Sequence, residues 1–135
     1  YEDFSMKMDD ELMESLLVNL IDNALHATEA GGRITVKAYK ESGRKILEVA
    51  DNGRGIPQEE LGKITEAFYM VDKSRSRQEG GAGLGLALCV KIAEVHGGRL
   101  DITSQFGTGT KVRVIFDKKR EGFNLIKQIF CFNYE

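Results

Sequence analysis

Asp51-Asn52-Gly53-Arg54-Gly55-Ile56 concentrates more chemistry than any other stretch of this chain. Asp51 follows an apolar run, Ile46-Leu47-Glu48-Val49-Ala50, that reads as a buried strand. A carboxylate where a strand gives way to a loop is placed to read a small molecule. It accepts hydrogen bonds, so its partner is a donor, such as an exocyclic amine of the kind adenine carries. Gly53 and Gly55 let the backbone turn sharply and approach a ligand closely. Taken by itself, Asp-Asn-Gly is also a common plain turn.

Two further groups of residues point the same way. Asn19, Asn23 and His26 fall at i, i+4 and i+7 of an amphipathic stretch, so they share one helix face. Asparagine is a mediocre helix former, and two of them one turn apart call for a reason: a solvated face, or a ligand. The carbonyl oxygen of Asn23 suits a hard cation such as Mg²⁺, which takes few protein ligands and keeps phosphate oxygens and waters; Asn19 backs it up. Further on, Gly80-Gly81-Ala82-Gly83-Leu84-Gly85-Leu86-Ala87 opens a second helix. Glycines there turn backbone N–H groups toward an anion, and the helix dipole adds to the attraction. The spacing is neither that of a P-loop nor that of a dinucleotide fingerprint.

Those residues need a scaffold. A short strand is expected over residues 2–8. Asp9 or Asp10 then caps a helix running to about Thr28, with Leu12, Met13, Leu16, Leu17, Leu20, Ile21, Ala24 and Leu25 as its apolar stripe. Ala30-Gly31-Gly32 ends it through a glycine cap. Strands are expected over Arg33–Tyr39 and Lys45–Ala50, joined by a hairpin turn at Glu41-Ser42-Gly43-Arg44. A short helix covers Gln58 to Ile64 after Pro57. Residues 66–82 are polar and aperiodic, the composition of a lid or binding loop, with Lys73, Arg75 and Arg77 as a local basic cluster. The second helix runs to about His96, with Leu84, Leu88, Ile92 and Val95 on one side; His96 reads as a C-terminal residue favoured by the dipole. Strands follow at Arg99–Ser104 and Lys111–Asp117. The tail from Phe123 to Glu135 is apolar enough to pack on the domain itself or to meet another chain.

At 135 residues, with 41% hydrophobic and 30% charged residues, the chain is one soluble domain that buries a core without metals or disulfides. A net charge of −2 gives no ground for expecting nucleic acid or an anionic membrane as partner. The two cysteines, Cys89 and Cys131, make no paired motif, and Cys89 falls on an apolar helix face, as in a reduced, cytoplasmic chain. No run is long and apolar enough to span a bilayer, and no signal peptide is seen. A start at Tyr1 suggests a fragment of a larger protein, whose parent can still be membrane-anchored.

The order of the pieces is specific: Asn19-x-x-x-Asn23-Ala24, then Asp51-x-Gly53-x-Gly55, Phe68, Gly81-x-Gly83-x-Gly85, and Gly107-x-Gly109-Thr110. Over roughly residues 4–117 this resembles the ATP-binding catalytic domain of bacterial sensor histidine kinases, in the superfamily that includes DNA gyrase, Hsp90 and MutL. The resemblance implies an α+β, Bergerat-type fold: a two-layer α/β sandwich whose mixed, largely antiparallel sheet is covered on one face by helices. Residues 1–120 would form the ATP-binding domain and 121–135 a tail of unknown role. By the same resemblance, Asn23 holds Mg²⁺ with Asn19 behind it. Asp51 binds the adenine amine, with Thr110 assisting through water, and Gly53, Gly55 and Ile56 let the base close. Phe68 anchors the lid, and Gly81, Gly83, Leu84, Gly85 and Leu86 wrap the phosphates, with Lys73, Arg75 or Arg77 and His26 near the phosphate end. The family usually has Lys and then an aromatic where this chain has His26 and Ala27, and often a basic residue at Met70.

What this implies chemically turns on Asn19. ATPase branches and serine kinases of the superfamily commonly carry Glu there as general base. An amide cannot take the proton, so hydrolysis and serine phosphorylation are disfavoured. The implied activity is donation of the γ-phosphate of Mg-ATP to a histidine on a separate helical dimerisation domain, in a two-component pathway ending on a response regulator. No catalytic residue of that transfer is expected within this chain. A superfamily serine kinase or ATPase, or a degenerate nucleotide-binding interaction module, is the alternative.

Overall fold

Asp9 starts the main helix. Its carboxylate accepts the Leu12 N–H at 3.0 Å, and Asp10 and Glu11 place negative charge in the first turn. The helix, α1 (Asp10–Ala27), buries Met13, Leu16, Leu20 and Ala24 and rests Leu12, Leu17, Ile21 and Leu25 against the same core, the stripe expected from the 3.6-residue period. It ends differently from the expectation. Thr28 is extended (φ −109, ψ 133), and its hydroxyl donates back to the Ala24 carbonyl at 2.7 Å. A buried threonine thus closes the helix before the glycines are reached, and Gly31 serves the turn that follows.

The coordinates are a computed structural model that describes residues 4–5, 8–65, 85–117, 124–125 and 130–133. Besides α1, these form β1 (Phe4–Ser5), β2 (Arg33–Glu41), β3 (Arg44–Asp51), α2 (Gln58–Leu61), α3 (Gly85–Val95), β4 (Gly98–Gln105), β5 (Gly109–Phe116), β6 (Asn124–Leu125) and β7 (Phe130–Asn133). One sheet has the order β4-β5-β3-β2-β7, and every pairing described in it is antiparallel. The helices pack on one face, giving the expected two-layer α+β sandwich. Ser42 and Gly43, both at positive φ (52 and 75), make the two-residue turn that sets the β2–β3 register at Glu41↔Arg44. The tail contributes backbone to two places: β7 pairs with β2 at the sheet edge, and β6 pairs with β1. Among the described residues, no helix is long and apolar enough to cross a membrane.

The inner sheet face supplies Ile34, Val36, Ala38, Leu47, Val49, Val114 and Phe116 to a single core shared with both long helices. On the opposite face, register aligns Lys37, Glu48, Arg113 and Asp101 in a row of alternating charge, with Arg113 donating to Asp101 at 2.7 Å and the Tyr39 hydroxyl donating to Glu48 at 2.9 Å.

Helix α3 turns the side that carries Cys89 and Ile92 to the core. Cys89, Ile92 and Ala93 are buried, whereas Leu88 and Val95 are 43% and 61% exposed. The small side chains let α3 approach α1 closely, with the Cys89 thiol 3.7 Å from the Leu16 carbonyl oxygen and its pKa pushed up to about 12 by burial. Cys89 is therefore a core residue, as its place in the sequence suggested. His96 does more than meet a helix dipole. It is buried, its Nε2 accepts the Asp9 N–H at 2.9 Å, and its Nδ1–H donates to the Ile92 carbonyl at 2.7 Å. The end of α3 is thereby tied to the cap of α1.

Candidate functional site

Between α1, α3 and the inner sheet face lies an open cleft of about 130 Å³. Its lining combines apolar walls (Leu20, Ala24, Val49, Ile64, Ile102, Val112) with Asn23, Asp51, Arg54 and Thr110 as the polar or charged side chains. Mostly apolar concavity with a few convergent polar groups is the ordinary make-up of a small-molecule site.

Asp51 ends β3 on the inner face, opposite Ile34 on one side and Thr110 on the other. Its Oδ1 accepts the Gly53 N–H at 2.9 Å, and the Thr110 backbone N–H also donates to the carboxylate. Desolvation in the cleft raises its pKa, partly offset by these two N–H groups and by the positive charge of Arg54. The glycines of the hexapeptide are needed for distinct reasons. A Cβ on Gly53 would strike the carbonyl of Ala27, the last residue of α1. Gly55 has φ +72, and a Cβ there would strike the Gln105 carbonyl. The loop is thus threaded between the end of α1 and the β4–β5 turn. Backbone bonds clamp it on both sides: Arg54 N–H to the Ala27 carbonyl at 3.0 Å, and Gly107 N–H to the Arg54 carbonyl at 2.6 Å.

The other end of the cleft is built where α1 meets the start of α3. A Cβ on Gly85 would lie 3.2 Å from Asn19 Oδ1 and 3.9 Å from Asn23 Nδ2. Both asparagines therefore face the first turn of α3, as their spacing predicts. Asn19 donates its amide N–H to the Ser15 carbonyl at 2.8 Å, which leaves its side-chain oxygen toward that turn. Leu86 lines the cleft and packs against the core. Gly55, Ile56 and Thr110 line the cleft, Gly53 packs against the end of α1, and Gly85 lies beside Asn19 and Asn23. His26 is exposed on α1 and is not among the cleft-lining residues; its carbonyl accepts from the Arg54 guanidinium at 2.9 Å. Phe68, Lys73, Arg75, Arg77, Gly81, Gly83 and Leu84 lie outside the described residues.

Two residues of the site carried no signal in the sequence. Arg54 stands between two glycines that the turn explains by itself, yet it lines the cleft together with Ala27. Ser104, on β4, is buried and bonds Ile56 N–H, the Gly109 carbonyl and the Thr110 hydroxyl. An alternating strand containing one serine gives no hint of that.

Residues 8–120 match the family described as histidine kinase-, DNA gyrase B-, and HSP90-like ATPase. The signal transduction histidine-protein kinase ArlS of Staphylococcus aureus is 40% identical over 115 residues, which are 85% of this chain and 26% of ArlS. The chain thus spans about a quarter of the length of the curated relatives it matches. Among solved structures, the mycobacterial sensor histidine kinase MprB superposes with a TM-score of 0.68 at 28% identity, covering 80% of this chain and 71% of that one. The nucleotide-free catalytic domain of histidine kinase ThkA gives 0.70 at 27% identity, covering 84% and 71%. Full-length ShkA in complex with AMPPNP gives 0.73 at 27% identity, covering 90% of this chain and 25% of ShkA.

Proposed function

The chain belongs to the histidine kinase-, DNA gyrase B- and HSP90-like ATPase family, and from that premise we propose that it binds Mg-ATP in the cleft and presents the γ-phosphate to a histidine on a separate dimerisation domain. The observation that carries this reading is the polarity of the cleft from end to end. An ionisable acceptor, Asp51, sits at one end under an apolar wall suited to a base. Two amides, Asn19 and Asn23, face the opening turn of α3 at the other, where a phosphate chain meets helix N–H groups.

Asn23 fits the metal's role. It is exposed, its side-chain amide lies beside the first turn of α3, and among the described residues no group of three or more His, Cys, Asp or Glu side chains competes for a cation. A hard ion there takes one protein oxygen and draws the rest from phosphate and water, and would neutralise phosphate charge. Asn19 has no proton affinity to offer a water or hydroxyl. Catalysis by this chain is therefore positioning and charge neutralisation, with the acceptor imidazole supplying the nucleophile. His96 is buried and committed to two hydrogen bonds, so it is no acceptor. We assign residues 1–120 to the ATP-binding unit, a cytoplasmic setting to the domain, and a response regulator to the step after the histidine.

Calorimetric titration of ATP, with and without Mg²⁺, tests the binding claim, with Asp51→Asn as control. Saturable binding that Mg²⁺ alters and Asp51→Asn abolishes is expected; a folded chain without detectable binding overturns the reading. Adding a helical phosphoacceptor domain in trans should then give an acid-labile phosphoryl group on that domain. Steady phosphate release by this chain alone would instead favour an ATPase, and acid-stable phosphate on a protein substrate would favour a serine kinase.

A further inference from the structure

We propose that Ser104 is a positioning residue that forces the Thr110 hydroxyl to act as an acceptor, and so tunes the cleft to an exocyclic amine over a carbonyl on the bound base. The inference rests on the nucleotide reading above and deepens it.

The reasoning is a count of protons and lone pairs. A serine hydroxyl has one proton and two acceptor positions. Ser104 has three partners: Ile56 N at 2.7 Å, the Gly109 carbonyl oxygen at 3.0 Å and Thr110 Oγ1 at 2.8 Å. Ile56 N–H can only donate, and the Gly109 carbonyl can only accept. One lone pair and the only proton of Ser104 are therefore committed. What remains is a single lone pair, so of the two directions open to the Ser104–Thr110 contact, only donation by Thr110 keeps all three partners bonded. The Thr110 proton is then turned into the protein, and its oxygen keeps lone pairs alone for the cleft.

Thr110 pairs directly with Asp51 across β3 and β5, and both line the cleft. Two neighbouring side chains thus present acceptors only. In this arrangement Thr110 faces the base directly and not through the water that the family resemblance implies; an amino group carries two N–H bonds on one atom and satisfies such a pair. A 6-oxo purine brings a carbonyl oxygen beside one N–H, so a lone pair of the base faces a lone pair of the protein. Ser104 is buried and placed opposite Thr110 by the β4–β5 register, so neither hydroxyl is free to rearrange cheaply.

ATP and ITP differ by amine against carbonyl at one ring position, and the ratio of their dissociation constants is the readout. In the unaltered chain ATP binds more tightly. Ser104→Ala releases the Thr110 proton, which can turn to meet a carbonyl, and the ATP-to-ITP preference falls about tenfold, on the order of one buried hydrogen bond. Ser104→Thr keeps a hydroxyl in place and restores the preference. Thr110→Val leaves the other two Ser104 bonds intact and lowers the preference by a similar factor; adding Ser104→Ala to it changes the ratio no further. A merely structural role for Ser104 weakens both nucleotides together and leaves the ratio where it was; that result in Ser104→Ala, or in Thr110→Val, overturns the proposal. Failure of the unaltered chain to bind ATP at all overturns the nucleotide reading itself, a different and separately visible outcome.

Discussion

Replacing Gly53 by Ala tests how closely the loop after β3 is packed against α1. The added Cβ would lie 2.6 Å from the Ala27 carbonyl carbon and 3.0 Å from Asp51 Oδ1. Ordinary contact begins at 3.4 Å, and the Ala27 carbonyl oxygen lies nearer still than its carbon, so loop and helix end must separate by at least 0.8 Å (3.4 less 2.6). Moved that far along the bond, the Arg54 N–H to Ala27 carbonyl contact, now 3.0 Å, opens to roughly 3.8 Å or more and is lost. Overpacking costs about 1–3 kcal/mol and the hydrogen bond about 1 kcal/mol, while the stiffer unfolded chain returns about 0.4–1 kcal/mol. The net loss is about 1–3.6 kcal/mol, a fall in Tm of roughly 4–14 °C for a domain of this size. Gly62→Ala is the matched control. Gly62 has φ −73 and open space around its Cβ position, so only the unfolded-state gain of about 0.4–1 kcal/mol applies. Urea unfolding of both variants reads the difference in midpoint at constant slope. Equal midpoints for the two variants would refute the close approach on which the geometry of the site depends.

Asp51→Asn should stabilise the empty protein relative to wild type near neutral pH while removing ATP-dependent stabilisation. Burial raises the Asp51 pKa above its ordinary value of 3.8, so its favourable contribution is complete below that value and is lost as pH rises through the folded-state pKa. The gap between the two proteins should accordingly close on acidification; a gap that widens toward low pH contradicts the assignment. Arg54→Ala removes the guanidinium bond to the His26 carbonyl and a positive charge that favours the ionised Asp51. ATP affinity in calorimetry should drop about three- to tenfold with stability changed by less than about 1 kcal/mol, as befits an exposed contact; unchanged affinity would remove Arg54 from the site. His96→Phe keeps a ring in the buried space but removes the side-chain bonds to the Asp9 N–H and the Ile92 carbonyl. The Ile92 carbonyl still accepts the main-chain N–H of residue 96 at 3.3 Å, so the stranded group is the Asp9 N–H. A loss of about 1–2 kcal/mol in urea unfolding is expected, and an unaltered midpoint would show that the link between α1 and α3 contributes nothing.

Features that one residue type imposes by itself were legible in the chain. The α1 stripe, the Asp9 cap, the Ser42-Gly43 hairpin and the Asp51 hexapeptide are all local, and the structure places each where spacing predicts. Legibility fails where a partner far along the chain decides. That Cys89 is buried was legible, but that Leu88 and Val95 are exposed was not, because only the close approach to α1, which rewards small side chains such as Cys89 and Ala93, decides which side of α3 is covered. His96 stands at the end of α3 as its place in the sequence suggests, but its contact with Asp9 was not legible because that partner is 87 residues away. Ser104 is the extreme case. Asp51 is an acceptor wherever it is put, so its chemistry can be read from one letter. Whether Thr110 donates or accepts is not a property of threonine, nor of the Ser104–Thr110 pair. It is settled only when Ile56, from the loop after β3, and Gly109, at the start of β5, have each taken their share of one hydroxyl. The preference of the cleft for one base over another is then a property of the assembled sheet and loop, and a substitution that preserves every motif in the sequence can still change it.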